Sequence, residues 1–136
     1  MNAVTASLPA AMHEALARVA ADSPRLQMLV LHGSRARGSA HAHSDWDFAY
    51  EAEAGFDADG LLARLADLLK ADRIDLVDLG CAGALLRHRV ARDGVVLFER
   101  APGRFQQFWL DAVHTWCDLA PVLEPLYDRV LESLPK

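Results

Sequence analysis

Apolar residues along the chain follow two spacings, and segments of each kind alternate. Residues 58–70 carry five leucines on one stripe at helical spacing, which predicts an amphipathic helix. Residues 26–32 and 95–99 are short, nearly continuous apolar runs, which are typical of buried strands. Helices that alternate with strands at these intervals predict an α/β fold (α+β by some schemes), a small mixed sheet of about four to five strands flanked by helices.

The remaining segments complete this pattern. Further helices are predicted over residues 8–22 and 83–92, and further strands over 45–51 and 73–79. The chain after about residue 103 is also predicted to be helical, with a break near 120 at Pro121 and Pro125. We expect residues 1–136 to form a single domain on which this C-terminal helical segment packs.

A wide aromatic and apolar stripe follows the first part of the C-terminal helical segment. Its members are Phe105, Phe108, Trp109, Val113, Trp116 and Leu119. Trp109 and Trp116 are seven positions apart and therefore share nearly one helical face. We expect both to be buried against the sheet, with Phe105 at the rim available to a partner. Part of the stripe could instead form a protein interface.

Composition excludes several classes of protein. The chain has 136 residues, 52% apolar and 24% charged, which excludes disorder as its main state and predicts a core that needs no disulfide. No apolar stretch is long enough for a membrane span, and no secretory signal is evident. The net charge of −5 and the scattered arginines argue against bulk nucleic acid as a partner. With two distant cysteines, Cys81 and Cys117, a reducing cytoplasm is the expected location.

Two aspartates at the start of the second strand are the strongest chemical signal. Asp45 and Asp47 alternate with Trp46, so both carboxylates point to the same face of the predicted strand. Carboxylates placed in this way repel each other unless a cation lies between them. Oxygen ligands without a nearby cysteine favour a hard ion, Mg²⁺ or Mn²⁺, which would complete its shell with substrate phosphate.

A second signal, Gly33-Ser34, ends the first strand ten residues earlier. A turn from a strand into a helix exposes backbone N–H groups that stabilise an anion, and glycine lets a phosphate approach the backbone closely. The Ser34 hydroxyl could donate to a phosphate oxygen or cap the turn, and Arg37 is the preferred cation for phosphate. Ser44 could bind nucleotide or only brace the aspartates. His41 and His43 are expected to be solvated, with zinc ligation as the alternative.

A third carboxylate is available in the strand that begins near residue 73. Asp75 alternates with Ile74 and Leu76 and therefore points away from the face that they bury. Asp78 lies on the buried side of that strand. Asp75 is therefore the preferred member of a three-carboxylate site.

The segment GSRARGSAHAHSDWDFAY resembles the GSxxxGxxxxxSDxD signature of the DNA polymerase beta-type nucleotidyltransferase superfamily. The similarity is closest to its smallest branch, the minimal nucleotidyltransferases found as antitoxins beside HEPN toxins, and it covers residues 10–100. The resemblance implies the nucleotidyltransferase fold. It also implies that Gly33 and Ser34 hold the nucleoside triphosphate, that Asp45 and Asp47 ligate two metal ions, and that Asp75 binds one metal and orients or activates the attacking hydroxyl.

The activity implied by this resemblance is transfer of AMP from ATP to a hydroxyl group, with pyrophosphate as the leaving group. Two Mg²⁺ or Mn²⁺ ions would stabilise the attacking and leaving oxygens. The expected acceptor is a tyrosine of a cognate HEPN toxin. Two alternatives stay open: an antitoxin that binds its partner without catalysis, and transfer to a small hydroxylated molecule such as an aminoglycoside.

Overall fold

Residues 8–134 are described by the computed structural model of the chain. Within them the chain forms five helices and four strands, in the order α1 (Ala10–Ala21), β1 (Leu26–His32), α2 (Gly33–Arg37), β2 (Trp46–Ala52), α3 (Ala58–Leu69), β3 (Ile74–Asp78), α4 (Ala84–Asp93), β4 (Val95–Glu99) and α5 (Arg104–Ser133). The strands predicted over 26–32 and 95–99 have these bounds, and the other predicted strands and helices before residue 100 differ from the structure by one or two residues at an end.

The four strands form one mixed sheet in the order β3-β2-β1-β4. β1 is antiparallel to both of its neighbours, whereas β2 and β3 run parallel. The C-terminal end of β1 therefore meets the N-terminal ends of β2 and β3 at one end of the sheet. The predicted fold class, a small mixed sheet flanked by helices, is confirmed.

Both faces of the sheet are covered, because buried side chains alternate along its strands. On one face Leu29, Leu31 and Phe48 form a core with residues of α1 and α3. On the other face Val30 and Ala49 form a second core with residues of α4 and α5. The result is three layers, helices on either side of a sheet.

The C-terminal segment differs from its prediction. A single helix, α5, runs through Pro121 and Pro125 without the expected break. The φ of proline is compatible with a helix, although proline lacks a backbone donor and its ring crowds the carbonyl group four residues earlier. Both prolines are exposed, so water can reach the carbonyl groups that lose their donors.

The tryptophans of α5 have different environments, and the expectation of shared burial is wrong. Phe108 and Ala112 are the buried residues of the helix. Trp116 is half-buried and stacks on His88 of α4 at 4.9 Å between ring centroids. Trp109 is 41% exposed. Both tryptophans lie about 80–100° around the helix from Phe108, away from its buried side, and Trp116 is covered in part because it meets the His88 ring of α4.

Candidate active site

Three strands bring a histidine and two aspartates together at the end of the sheet. His32 of β1 is in register with Asp47 of β2, and Asp47 is in register with Asp75 of β3. Residues in register on neighbouring strands point to the same face, with backbones about 4.8 Å apart. This face is the one covered by α4 and α5. The alternation that places Asp47 beside Ala49 also places Trp46 and Phe48 in the opposite core, as the sequence predicts.

Gly33 closes this end of the sheet against Asp47. Its φ of +71° turns the chain from β1 into α2, a conformation that side chains with a Cβ rarely adopt. A Cβ at this position would lie 2.2 Å from the Asp47 Oδ2 atom. Glycine is therefore required here both by the turn and by the close approach of the carboxylate.

Burial and like charge both act on Asp47. Burial raises the pKa of its carboxyl group, and the negative charges of Asp75 and Asp45 raise it further, while His32 and Arg37 oppose the change. Burial also lowers the pKa of His32, while the negative charges of Asp47 and Asp75 oppose the change. Its Nε2 atom is buried without a hydrogen-bond partner. The carboxyl group of Asp47 and the imidazole of His32 are thus both biased towards their neutral forms. This is expected at a site where a bound cation would offset the repulsion between the carboxylates.

Asp45 precedes β2 and is more exposed than Asp47. Its Oδ1 atom lies 3.9 Å from the Arg73 Nη1 atom, and both side chains are largely in solvent. Such an exposed pair contributes little stability. Arg73 and Ser44 also line a cleft of about 540 Å³ beside Asp45, together with Arg35, Trp46 and Lys70. Asp45 can therefore exchange Arg73 for another cation at small energetic cost.

The two arginines of α2 have different environments. Arg35 lies over the Trp46 ring at 4.1 Å, and its guanidinium donates to the Ser44 carbonyl at 2.9 Å, so it holds the loop before β2. Arg37 is exposed, and its positive charge partly opposes the burial that raises the pKa of Asp47. Phosphate binding by Arg37 stays a prediction.

Ser44 braces the loop that leads into β2. Its hydroxyl accepts a hydrogen bond from the His41 backbone N–H at 2.9 Å. The His41 ring in turn accepts from the backbone N–H of His43 at 3.3 Å. The Ser44 hydroxyl thus holds the loop and not the aspartates, while nucleotide binding by Ser44 stays a prediction.

Asp75 and Asp78 of β3 have different partners, which decides which of them belongs to the carboxylate site. Asp75 is exposed and in register with Asp47. Asp78 is used in a turn, where its Oδ1 atom accepts from the Gly80 N–H at 2.8 Å. The structure therefore puts Asp75 beside the other carboxylates and gives Asp78 a structural partner.

The donor set fits a hard divalent cation that is shared with a substrate. Asp45, Asp47 and Asp75 offer only oxygen, which Mg²⁺ prefers. Among residues 8–134, no three His, Cys, Asp or Glu side chains are grouped so that they could hold one metal ion between them. A magnesium ion held by one or two carboxylates takes its other ligands from phosphate and water, so a complete cage is not required.

Two features of the site were missed by sequence reasoning. His32 received no chemical role, although its place at the end of β1, two residues after Val30 on the same face, could have indicated its position. Arg73 was also missed. Its proximity to Asp45 depends on the parallel pairing of β2 and β3, in which the Trp46 N–H donates to the Arg73 carbonyl at 2.9 Å.

Comparison with known proteins agrees with this geometry. A family model described as "Polymerase beta, Nucleotidyltransferase" matches residues 14–102, a range that contains every candidate residue of the site. The chain belongs to the polymerase beta nucleotidyltransferase family. This nucleotidyltransferase is also 39% identical over 112 residues to the protein adenylyltransferase MntA of Aphanizomenon flos-aquae, across 73% of this chain and 74% of the relative.

Solved structures extend the similarity to the whole fold. A chain from the crystal structure of a toxin–antitoxin pair with AMP-PNP aligns with a TM-score of 0.73 and 28% identity, over 88% of this nucleotidyltransferase and 98% of that chain. A chain from the complex of tri-AMPylated Shewanella oneidensis HEPN toxin with MNT antitoxin aligns with a TM-score of 0.67 and 25% identity, over 88% and 95%. The resemblance to minimal nucleotidyltransferases is confirmed, as is the assignment to an enzyme family. Within residues 8–134, none of the helices combines the length and hydropathy that a bilayer crossing demands.

Proposed function

We propose that this chain transfers AMP from ATP to a hydroxyl group of a HEPN toxin, most specifically a tyrosine, and so acts as an antitoxin. The observation that carries the proposal is the alignment of Asp47 with Asp75, and the approach of Gly33 to Asp47, at one end of the sheet. Similarity to an adenylyltransferase and to chains from toxin–antitoxin structures supports the choice of donor and acceptor. ATP as the donor fits the cytoplasmic location expected from the sequence.

The triphosphate would lie against the turn between β1 and α2. Gly33 leaves no side chain between the backbone and Asp47, and Ser34 follows it in the first turn of α2. Arg37 supplies positive charge on the same side. Ser44 would contact the nucleotide only in addition to its role in the loop.

Asp45, Asp47 and Asp75 would hold two Mg²⁺ or Mn²⁺ ions. When bound, such ions neutralise the phosphates and stabilise the attacking and leaving oxygens of an in-line displacement. Asp47 is half-buried and fixed by its strand, whereas Asp45 and Asp75 are exposed. Asp47 therefore anchors the site, and the other two can adjust to the substrate.

The reaction forms one bond and breaks one. The acceptor oxygen attacks the α-phosphorus, the bond from that phosphorus to the bridging oxygen breaks, and pyrophosphate leaves with the electron pair. Asp75 is exposed and in register with Asp47, and in the proposed mechanism it accepts a hydrogen bond from the incoming hydroxyl and receives its proton. The open position of Asp75 at the sheet end allows a protein side chain to reach it.

Labelled ATP tests this proposal directly. The HEPN toxin encoded beside this chain is incubated with the purified protein and ATP labelled at either the α- or the γ-phosphate. We expect label on the toxin from α-labelled ATP only, and loss of label with Asp45→Asn or Asp47→Asn. Asp78→Asn is the matched control, because an asparagine there keeps the oxygen that accepts from Gly80. Toxin that is bound but carries no label would favour the non-catalytic antitoxin, and label from the γ-phosphate would identify a kinase.

A further inference from the structure

A guanidinium group stands beside the carboxylates at the end of the sheet. β2 and β3 are parallel, with Asp47 in register with Asp75. Arg73 directly precedes β3, and its backbone carbonyl accepts from the Trp46 N–H at 2.9 Å. The Arg73 Nη1 atom lies 3.9 Å from the Asp45 Oδ1 atom. The end of the sheet therefore combines three carboxylates with an arginine to which the proposed reaction gives no role.

The ion pair between Arg73 and Asp45 is easily exchanged. The two side chains are 79% and 57% exposed, and their separation of 3.9 Å is longer than the about 2.7–2.9 Å of a charge-assisted hydrogen bond. Such a pair contributes little to stability. Once Asp45 ligates an ion, its negative charge is neutralised and the guanidinium is repelled. Arg73 is then released beside the site, where an anion would be its partner.

Two other cationic side chains line the same cleft, and both have partners outside the carboxylate site. The Arg35 guanidinium donates to the Ser44 carbonyl at 2.9 Å. The Lys70 Nζ atom donates to the Asp67 Oδ1 atom at 3.3 Å. An ion at Asp45 changes neither contact. Of these three cations, only Arg73 is paired with a carboxylate of the site.

The order of the strands indicates which phosphate Arg73 can reach. The order is β3-β2-β1-β4, and the turn proposed for the triphosphate, Gly33-Ser34, follows β1. Arg73 and Asp75 belong to the start of β3, two strands and thus about 10 Å from β1. With the β- and γ-phosphates at the turn, the α-phosphate lies over β2, and the acceptor hydroxyl approaches at Asp75. Arg73 is therefore next to the phosphate that is transferred and distant from those that leave.

We propose that Arg73 donates hydrogen bonds to the non-bridging oxygens of the α-phosphate of ATP, after an ion has replaced it at Asp45. This inference rests on the proposed function for the identity of the reaction. A guanidinium presents paired donors that match phosphate oxygens, and negative charge is spread over these oxygens while the group is transferred. Arg73 keeps its protons throughout, and the bonds that form and break are those of the proposed transfer.

Binding of the two halves of ATP tests this assignment without the toxin. AMP carries the α-phosphate, and pyrophosphate stands for the leaving group. Affinity for each is measured by calorimetry in Mg²⁺, with Lys70→Gln as the matched control, because Lys70 is a cation of the same cleft with a similar exposed fraction, 80% against 79%. We expect Arg73→Gln to weaken AMP binding at least about tenfold and pyrophosphate binding less than about threefold. Lys70→Gln should change neither by more than about threefold.

Two further measurements separate contact with phosphate from a structural role. Mn²⁺ affinity without nucleotide should stay level or rise in Arg73→Gln, because a cation that competes for Asp45 is removed. The unfolding midpoint should be unchanged, because the pair is exposed. Arg73→Lys should give an intermediate AMP affinity, since lysine keeps the charge and loses the paired donors.

Several results would overturn the inference. Equal AMP affinity in the wild type and Arg73→Gln would do so, as would a wild-type chain that binds pyrophosphate and not AMP. A loss confined to pyrophosphate would place Arg73 at the leaving group. Weaker Mn²⁺ binding in Arg73→Gln would show that Arg73 serves to position Asp45.

These outcomes are distinct from failure of the proposed function. AMP transfer to the toxin by a chain whose AMP affinity does not depend on Arg73 would contradict the inference and leave the proposed function standing. AMP binding that depends on Arg73, in a chain that labels no toxin, would support the inference and contradict the proposed function.

Discussion

Gly33 and Asp47 depend on each other at the scale of single residues. The carboxylate occupies the space that any larger residue at position 33 would need, and the positive φ restricts the position as well. Gly33→Ala is therefore expected to abolish AMP transfer, because the new Cβ displaces Asp47. It should also lower the free energy of unfolding by about 1–2 kcal/mol through backbone strain. Transfer assays and urea unfolding measure the two effects.

Gly103→Ala is the control for this change. Gly103 has a similar positive φ of +87°, but a Cβ there would meet nothing within 4 Å, and it lies at the start of α5 away from the carboxylates. We expect Gly103→Ala to lose comparable stability and to keep transfer. Equal loss of transfer in both variants would show that strain, not the position of Asp47, determines the activity.

The carboxylates of β3 give a second prediction at this scale. Asp75→Asn should remove transfer, while its metal-free unfolding midpoint stays level or rises, because one negative charge beside Asp47 is removed. The raised pKa of Asp47 leads to a matching expectation for pH. The fold disfavours the ionised form of Asp47, so metal-free stability should increase as the pH falls through that pKa. Scanning calorimetry and transfer assays check both points. Normal transfer by Asp75→Asn, with loss in Asp78→Asn, would reverse the assignment.

Alternation along the strands predicted the faces of Asp47 and Asp75 because it depends on local geometry alone. The position of His32 opposite Asp47 and of Arg73 beside Asp45 depends on strand register, which no local pattern contains. This is why sequence reasoning identified the carboxylates and missed the residues around them.

Among the elements, α5 shows where local rules fail. Periodicity identified the helices and strands before residue 100 because each has one face towards a core. Two exposed prolines did not end α5, since the loss of two backbone donors can be compensated by water on the solvent side. The shared fate predicted for the tryptophans failed because Trp116 stacks on His88 of α4, whereas Trp109 is 41% exposed.

Truncation of each tryptophan tests the packing of α5. Trp116→Ala removes the ring that stacks on His88, so it should lower the free energy of unfolding by at least about 1 kcal/mol more than Trp109→Ala. Chemical unfolding monitored by circular dichroism measures the difference. The opposite order would show that α5 packs on the domain through Trp109.

For the whole molecule, the cluster of negative charge makes nucleotide binding depend on a cation. The aspartates cannot receive a triphosphate unless positive charge lies between them. We expect calorimetry to show ATP binding in Mg²⁺ and a loss of at least about tenfold in affinity with a chelator. Equally tight binding in both conditions would contradict the proposed site.

The architecture of the whole molecule was easier to predict from the sequence than the boundary of the domain. Alternating strands and helices, with the Gly-Ser and Ser-Asp-x-Asp segments, predicted a mixed sheet and a nucleotidyltransferase. The second half of α5 extends past the sheet, so the assignment of residues 1–136 to one domain stays a prediction. An apolar helix face has the same sequence pattern whether the domain buries it or leaves it exposed, which is why the apolar pattern of α5 was interpreted mainly as burial.

The intact mass of the HEPN toxin proposed as the acceptor is the most direct test of the central claim. The toxin is expressed alone, with the wild-type chain, and with the Asp45→Asn/Asp47→Asn variant. Its intact mass is then measured by mass spectrometry in each sample. Transfer predicts a mass increase of one or more whole AMP units with the wild-type chain and none in the other two samples. A toxin that forms the complex and is neutralised, yet keeps its unmodified mass, would contradict the claim.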